Sequence, residues 1–322
     1  MAIPCGPMNQ SLFAWPAIVA LAFDVVAGSR QAPAAPSAEG TRHTYFTAID
    51  RKGAPLTDLT AAEVNVREDG IERRVVGVEA ATAPLHIVLL VDDSGPGLRF
   101  IREGTGRFIQ RMGGRAQIAL TSVGSKNTAL VDFTSQAGEL YDGVRRLTAR
   151  NTANAVDGAY LLDAVHDALV ALKERRPERL AIVVLTLESA EFSNRRAATL
   201  LDELQASRAV LQVVSLGKPT LKTMTGWNEA PMQSIRENLD ENMNRKKFLE
   251  DGARQSGGRF EQVLVDSGVP TAMLAAADEL ASQYVVVYAT AAGGSSPRRV
   301  NVSVKRGGVK VHARADFAVP GS

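Results

Sequence analysis

The chain has 322 residues, enough for one large core or two modest domains, and carries 37 basic against 35 acidic side chains. That balance gives no field of one sign to draw nucleic acid or acidic lipid, and 5% aromatics is too few for a base-stacking surface. The single cysteine, Cys5, excludes disulfides within the chain and cysteine-based metal sites.

Residues 1–30 read as a signal peptide. Leu12 to Phe23 is an apolar run broken by Pro16 and followed by the small residues Ala27, Gly28 and Ser29. It is short for a bilayer span and the right length for a signal core, although no Lys or Arg precedes Leu12. The expectation is export to the periplasm or beyond, with membrane contact confined to that transient segment. Residues 31–42 offer almost nothing large and apolar to bury and read as a linker. Residues 43–82 form an accessory β segment. Val64 to Gly70 alternates and then meets an Asp-Gly turn, and Val75, Val76 and Val78 are expected to carry the return strand.

Residues 83–283 change to strands separated by amphipathic helices. Leu85 to Val91 is wholly apolar, as in a strand buried on both faces, and it ends abruptly at Asp92, Asp93 and Ser94. Ile118–Leu120 and Ala129–Val131 form a strand pair around the polar turn Gly124–Asn127. Tyr160–Leu172 keeps a helical period. Leu180–Leu185 and Val210–Leu216 are further buried strands, with a helix over Ala197–Ala206 between them. A helix over Phe248–Ser256 stops at Gly257-Gly258, then come a strand over Arg259–Val265 and a helix over Thr271–Ser282. Between Gly217 and Lys246 lies a polar insertion, 218–246, that leaves the carboxyl end of a strand. It carries Trp227, Pro231, Met232 and Met243, residue types common at contact surfaces, and Trp227 and Met232 are the candidate partner-binding residues. Residues 284–318 return to alternating strands and are expected to pack with 43–82. The fold class is therefore α/β: a doubly wound, mainly parallel sheet with an accessory antiparallel β unit from both chain ends.

The Asp-x-Ser strand, Glu68-Asp69-Gly70, Ser256-Gly257-Gly258-Arg259-Phe260, the apolar Gln283–Tyr288 and the closing Ala313–Phe317 together resemble, over residues 44–318, a bacterial subfamily. These are the von Willebrand factor type A-related proteins, abundant in acidobacteria. The resemblance implies a Rossmann-like von Willebrand type A domain, export, and binding rather than catalysis. It also implies a metal-ion-dependent adhesion site built on Asp-x-Ser-x-Ser, to which Asp92 and Ser94 correspond. Where the family has a second serine this chain has Pro96, where it has threonine Ala159, and where it has aspartate then glycine Leu187 and Glu188.

Magnesium wants about six oxygens in octahedral geometry and gives up water reluctantly. Asp92 and Ser94 alone leave most of that shell to water, and useful binding at millimolar metal needs about 4 kcal/mol. The site is expected to be degenerate, Mg2+ at most weakly held, and Asp92 to cap local backbone amides. In the alternative, a rewired cation site, Asp157 or Glu188 supplies a replacement carboxylate. A serine hydrolase acting through Ser94 is the enzymatic rival. Asp92 and Pro96 stand where its nucleophile turn needs glycines, and His166 has no distinctive spacing to serve as base. The run Arg175–Arg179 reads as a solvated loop before a buried strand. The expected function is a non-enzymatic, adhesion-type module of the cell envelope with an unknown protein partner, no nucleic acid and no small-molecule cofactor.

Overall fold

The computed structural model describes residues 40–93, 97–148, 158–187, 190–217, 232–290, 298–314 and 316–317. The signal segment and most of the linker, together with Ser94, Pro96, Asp157, Glu188 and Trp227, lie outside them. Four strands come first: β1 (Gly40–Ile49), β2 (Val64–Glu68), β3 (Ile71–Arg73) and β4 (Val75–Ala80). The α/β part follows with β5 (Leu85–Asp92), α1 (Leu98–Met112), β6 (Ala116–Val123), β7 (Thr128–Thr134) and α2 (Ala137–Arg146). It continues through β8 (Gly158–Ala159), α3 (Leu161–Arg175), β9 (Arg179–Leu187), β10 (Ala190–Glu191) and α4 (Ala197–Ser207). Next are β11 (Val210–Leu216), α5 (Met232–Ser256), β12 (Phe260–Val263) and α6 (Val269–Ala281). The last strands are β13 (Tyr284–Thr290), β14 (Arg298–Val304), β15 (Lys310–Ala313) and β16 (Asp316–Phe317).

The central sheet has the order β12-β11-β9-β5-β6-β7 and is parallel except for β7, which returns antiparallel on β6. Its apolar runs are two-faced because neighbouring side chains point to opposite sides. In β5, Ile87, Leu89 and Val91 join α1 and α6 in one core, while Val88 and Leu90 join α3, α4 and α5 in the other. Each fully buried aliphatic side chain contributes about 1.5–3 kcal/mol, so the sheet is anchored from both faces.

Strands from both chain ends interleave in two antiparallel sheets, β15-β1-β13-β4 and β16-β14-β2-β3, which enclose a third core around Phe46, Val66, Tyr284 and Tyr288. Within it the fully buried Glu68 accepts from Arg42 Nη1 at 2.7 Å and from Thr290 Oγ1 at 3.0 Å, and pairs with Arg73 Nη2 at 3.1 Å. One carboxylate thus ties strands of both sheets.

Three expectations are corrected. The return strand of the first hairpin is β3, not Val75–Val78. Asp69 and Gly70 take φ of 54° and 82°, a two-residue turn that pairs Glu68 with Ile71 at once, and β4 then crosses to join β13. The insertion, expected as a loop or as a loop with a short helix near Gln233 to Asn242, instead gives its second half to one continuous helix, α5, of 25 residues. No Gly or Pro interrupts it before Gly252, and polar side chains dock it where apolar ones were sought. Asn244 Oδ1 accepts from Ala197 N at 2.8 Å, its Nδ2 donates to Arg195 O at 2.8 Å, and Asn242 Oδ1 accepts from Glu191 N at 3.2 Å.

The third correction is Arg179, which is buried rather than part of a solvated loop. Its Nη1 donates to the carbonyls of Ala81 and Ala83 at 3.1 Å each. Its Nη2 donates to Leu280 O at 3.0 Å and to Gln283 Oε1 at 2.7 Å. Those acceptors sit on the two chain crossings, β4 to β5 and α6 to β13, that join the β unit to the α/β domain.

The end of α5 is fixed by close backbone approach. Gly257 has φ 79°, and a Cβ there would meet Arg314 N at 2.6 Å; a Cβ on Gly258 would meet Leu211 O at 2.0 Å. Ser256 Oγ accepts from Leu211 N at 2.9 Å. The run Ser256-Gly257-Gly258 is therefore a packing motif.

Replacing Arg179 with Met leaves two buried acceptors, Leu280 O and Gln283 Oε1, and two part-buried ones, Ala81 O and Ala83 O, without their donor, and a buried acceptor left unsatisfied costs about 1–3 kcal/mol. Urea unfolding of R179M should show a loss of roughly 3–5 kcal/mol at unchanged m-value. A change below about 1 kcal/mol would contradict the role assigned to this side chain.

Candidate functional site

The carboxyl ends of β5, β9, β11 and β12 share one edge, where an open α/β sheet places ligands. Alternation turns Asp92 and Asp93 in different directions, and both are buried. Asp92 Oδ2 accepts from Leu187 N at 3.2 Å and lies 3.5 Å from Thr186 Oγ1 on the neighbouring β9. Asp93 Oδ1 accepts from Ser122 Oγ at 2.9 Å, and its Oδ2 from Thr148 N at 3.1 Å. The residues standing at two of the family's ligand positions, Ala159 and Leu187, have no side-chain oxygen. Among the described residues no group of three acidic, His or Cys side chains is placed to hold an ion.

A third buried carboxylate, Glu191, was not singled out by sequence. β10 pairs with β8, setting Glu191 opposite Ala159 beside the start of α3. Its Oε1 accepts from Ser193 N at 3.1 Å and reaches Leu162 N at 3.5 Å, while Ser193 Oγ accepts from Asp163 N at 3.1 Å. The segment 191–193 thus caps the first turn of α3, where the helix dipole favours negative charge. Burial raises the Glu191 carboxyl pKa, an effect that the hydrogen bonds from Ser193 and the charge of Arg245 only partly offset. Its Oε2 is buried with no hydrogen-bond partner among the described residues. The only hint in the sequence was an acidic residue just past an apolar strand.

The outer surface of this edge is apolar in places. Leu264 and Val265, just past β12, are each more than half exposed, and Tyr160 at the start of α3 is also exposed. Asp266 lies against Gly97 at the start of α1, where a Cβ would come 2.9 Å from its Oδ2. α5 is about 37 Å long at 1.5 Å per residue. Its last residue bonds Leu211 at the amino end of β11, and Asn242 bonds Glu191 at the carboxyl edge. Residues 232–241 therefore run on past that edge for about 15 Å. Met232 opens this overhang; Met243, more than half exposed, sits at its base. The four histidines lie elsewhere: His43 on β1, His86 at the start of β5, His166 within α3 and His312 on β15. His166 Nδ1 pairs with Glu203 Oε2 at 2.7 Å.

Because its folded pKa is raised, ionised Glu191 lowers stability as pH climbs through that value. Below the unfolded carboxyl value near about 4.3 both states hold the proton and the penalty vanishes. The thermal midpoint of E191Q minus that of the parent should therefore grow from pH 4 to pH 8. Parallel profiles would show that Glu191 ionises without cost.

No family model matches the chain, and no curated protein matches it. Solved structures similar to it include a von Willebrand factor type A protein from Catenulispora acidiphila, at 11% identity over 88% of this chain and 74% of that one, TM-score 0.45. The von Willebrand domain of a type V pilus tip protein from Porphyromonas gingivalis is 13% identical over 62% and 96%, TM-score 0.42. An aerotolerance-related membrane protein from Bacteroides fragilis is 12% identical over 60% and 98%, TM-score 0.42. Such matches are a likeness of fold and say nothing of function. The architecture of the chain itself is a mostly parallel central sheet flanked by helices and joined to two antiparallel sheets.

Proposed function

We propose that this chain is an exported, non-enzymatic protein-binding module that meets its partner at the carboxyl edge of the central sheet without a bridging cation. The observation that carries the reading is the use already made of the edge carboxylates. Asp92 and Asp93 accept from Leu187 N and Thr148 N, and Glu191 accepts from Ser193 N and reaches Leu162 N of α3. An acid that holds Leu187 N in place has less to offer an ion, and Ala159 and Leu187 add no oxygen. Among the described residues, the donors at this edge do not make up a magnesium shell of about six oxygens.

Leu264, Val265 and Tyr160 supply the apolar contact and Met243 on α5 extends it; by sequence, Trp227 and Met232 belong to the same insertion. Aromatic and Met side chains are enriched at protein contacts. A hydrolase reading is disfavoured because none of the four histidines stands at the carboxyl edge where β5 ends. Export rests on the apolar run Leu12–Phe23. Among the described residues no helix is long and apolar enough to cross a membrane.

Magnesium provides the test. A native-state site with Kd near 0.1 mM would stabilise the fold by about 2.7 kcal/mol at 10 mM MgCl2, several degrees in a domain of this size. The thermal midpoint of the full chain in 10 mM MgCl2 should match that in EDTA. A rise of several degrees that EDTA reverses and D92N abolishes would replace this reading with cation-dependent adhesion.

A further inference from the structure

A cleft of about 780 Å³ opens at the amino end of the central sheet, the end opposite Asp92. Its walls are Leu169, Val170 and Leu172 of α3, Ala206 of α4, and Leu180 and Val210 at the starts of β9 and β11. His43 and Tyr45 of β1 close it from the β unit, so both parts of the chain build it. Volumes of this order hold small molecules rather than protein surfaces.

The charges around it do not balance. Both acids in the wall are engaged: Glu178 Oε1 accepts from the Tyr45 hydroxyl at 2.7 Å, and Glu203 holds His166. Burial and that same Glu178 push the Tyr45 hydroxyl up to about 12, which keeps it neutral. Arg179 is committed to Gln283 and backbone carbonyls. Lys173 and Arg176 also line the cleft, and neither has a hydrogen-bond or ion-pair partner among the described residues. Arg176, the C-cap of α3, adopts φ 48°, ψ 41° immediately before Pro177, a left-handed backbone uncommon for a residue other than glycine. Strain of this kind persists where the surroundings enforce it, often at ligand sites.

We propose that this cleft binds a fatty carboxylate, its aliphatic chain against Leu169, Val170 and Val210 and its head group paired with Lys173 and Arg176. The apolar wall accounts for the chain and the two uncommitted cations for the anion. The rival explanation is that these cations only offset the negative end of the α3 dipole. In that case their loss lowers stability and leaves ligand binding untouched.

The experiment is calorimetric titration of the full chain with dodecanoate below its micellar range, beside dodecyltrimethylammonium and acetate. One saturable site is expected for dodecanoate, with the cationic amphiphile and acetate each at least about tenfold weaker, a gap of about 1.4 kcal/mol. The double variant K173E/R176E and the single variant V170E, all at exposed positions, should each weaken dodecanoate by about tenfold or more with little change in thermal midpoint. Three results would overturn the proposal: no saturable heat up to about 1 mM, equal binding of the cationic amphiphile, or parental affinity in both variants.

Discussion

One guanidinium holds the two halves of this molecule in register. Arg179 is the first residue of β9, yet its donors are spent on Ala81, Ala83, Leu280 and Gln283, the residues through which the chain leaves and re-enters the β unit. Arginine suits the task because its planar fork serves several acceptors at once. The Tyr45 ring lies 5.7 Å from the cation and shields it further. A neighbouring lock adds to it. Glu279 of α6 accepts from Arg259 at 3.1 Å and pairs with His312 of β15 at 2.9 Å. Burial works against the charge of Glu279, but those two partners outweigh it and hold its carboxyl below the usual range. With the amino end of the sheet fixed in this way, the carboxyl edge is left for surface and loops.

The same habit recurs across the fold: buried acids are used to hold chain segments together. Glu68 gathers arginines from two strands, Glu279 joins helix to strand, Glu191 caps a helix, Asp92 ties β5 to the end of β9, and Asp93 holds the segment after α2. A buried polar group without a partner costs far more than a satisfied one gains, so these contacts rigidify the places where they occur. Under the function proposed above, that use of Asp92 separates an edge that meets a partner by shape and apolar contact from one that waits for an ion.

How legible this was from sequence follows the range of the interaction responsible. The strands β5, β9 and β11 and the helices α3, α4 and α6 were readable because period and length are local properties, and the Asp69-Gly70 turn was readable for the same reason. What that turn did to the register was also local, but the competing valines of β4 hid it. The reach of α5 was masked because Asn242 and Asn244 dock through hydrogen bonds to Glu191 and Ala197, and a search for apolar periodicity passes over asparagine. Arg179 sat in a run of charges that looked solvated, since its acceptors lie roughly a hundred residues away on either side. At the candidate site, sequence placed Asp92 at the strand end and noted the missing oxygens at Ala159 and Leu187. It could not anticipate Asp93 or Glu191, whose partners are backbone amides that carry no signature of their own.

The account turns on whether the oxygens of Asp92 serve the protein backbone or a metal. Crystals of the full chain soaked in manganese chloride and measured at the manganese absorption edge would answer this at the atom concerned. The account predicts no anomalous peak at bonding distance from Asp92 and an intact contact to Leu187 N. A peak about 2.1 Å from an Asp92 oxygen, ringed by waters and a second carboxylate, would contradict it.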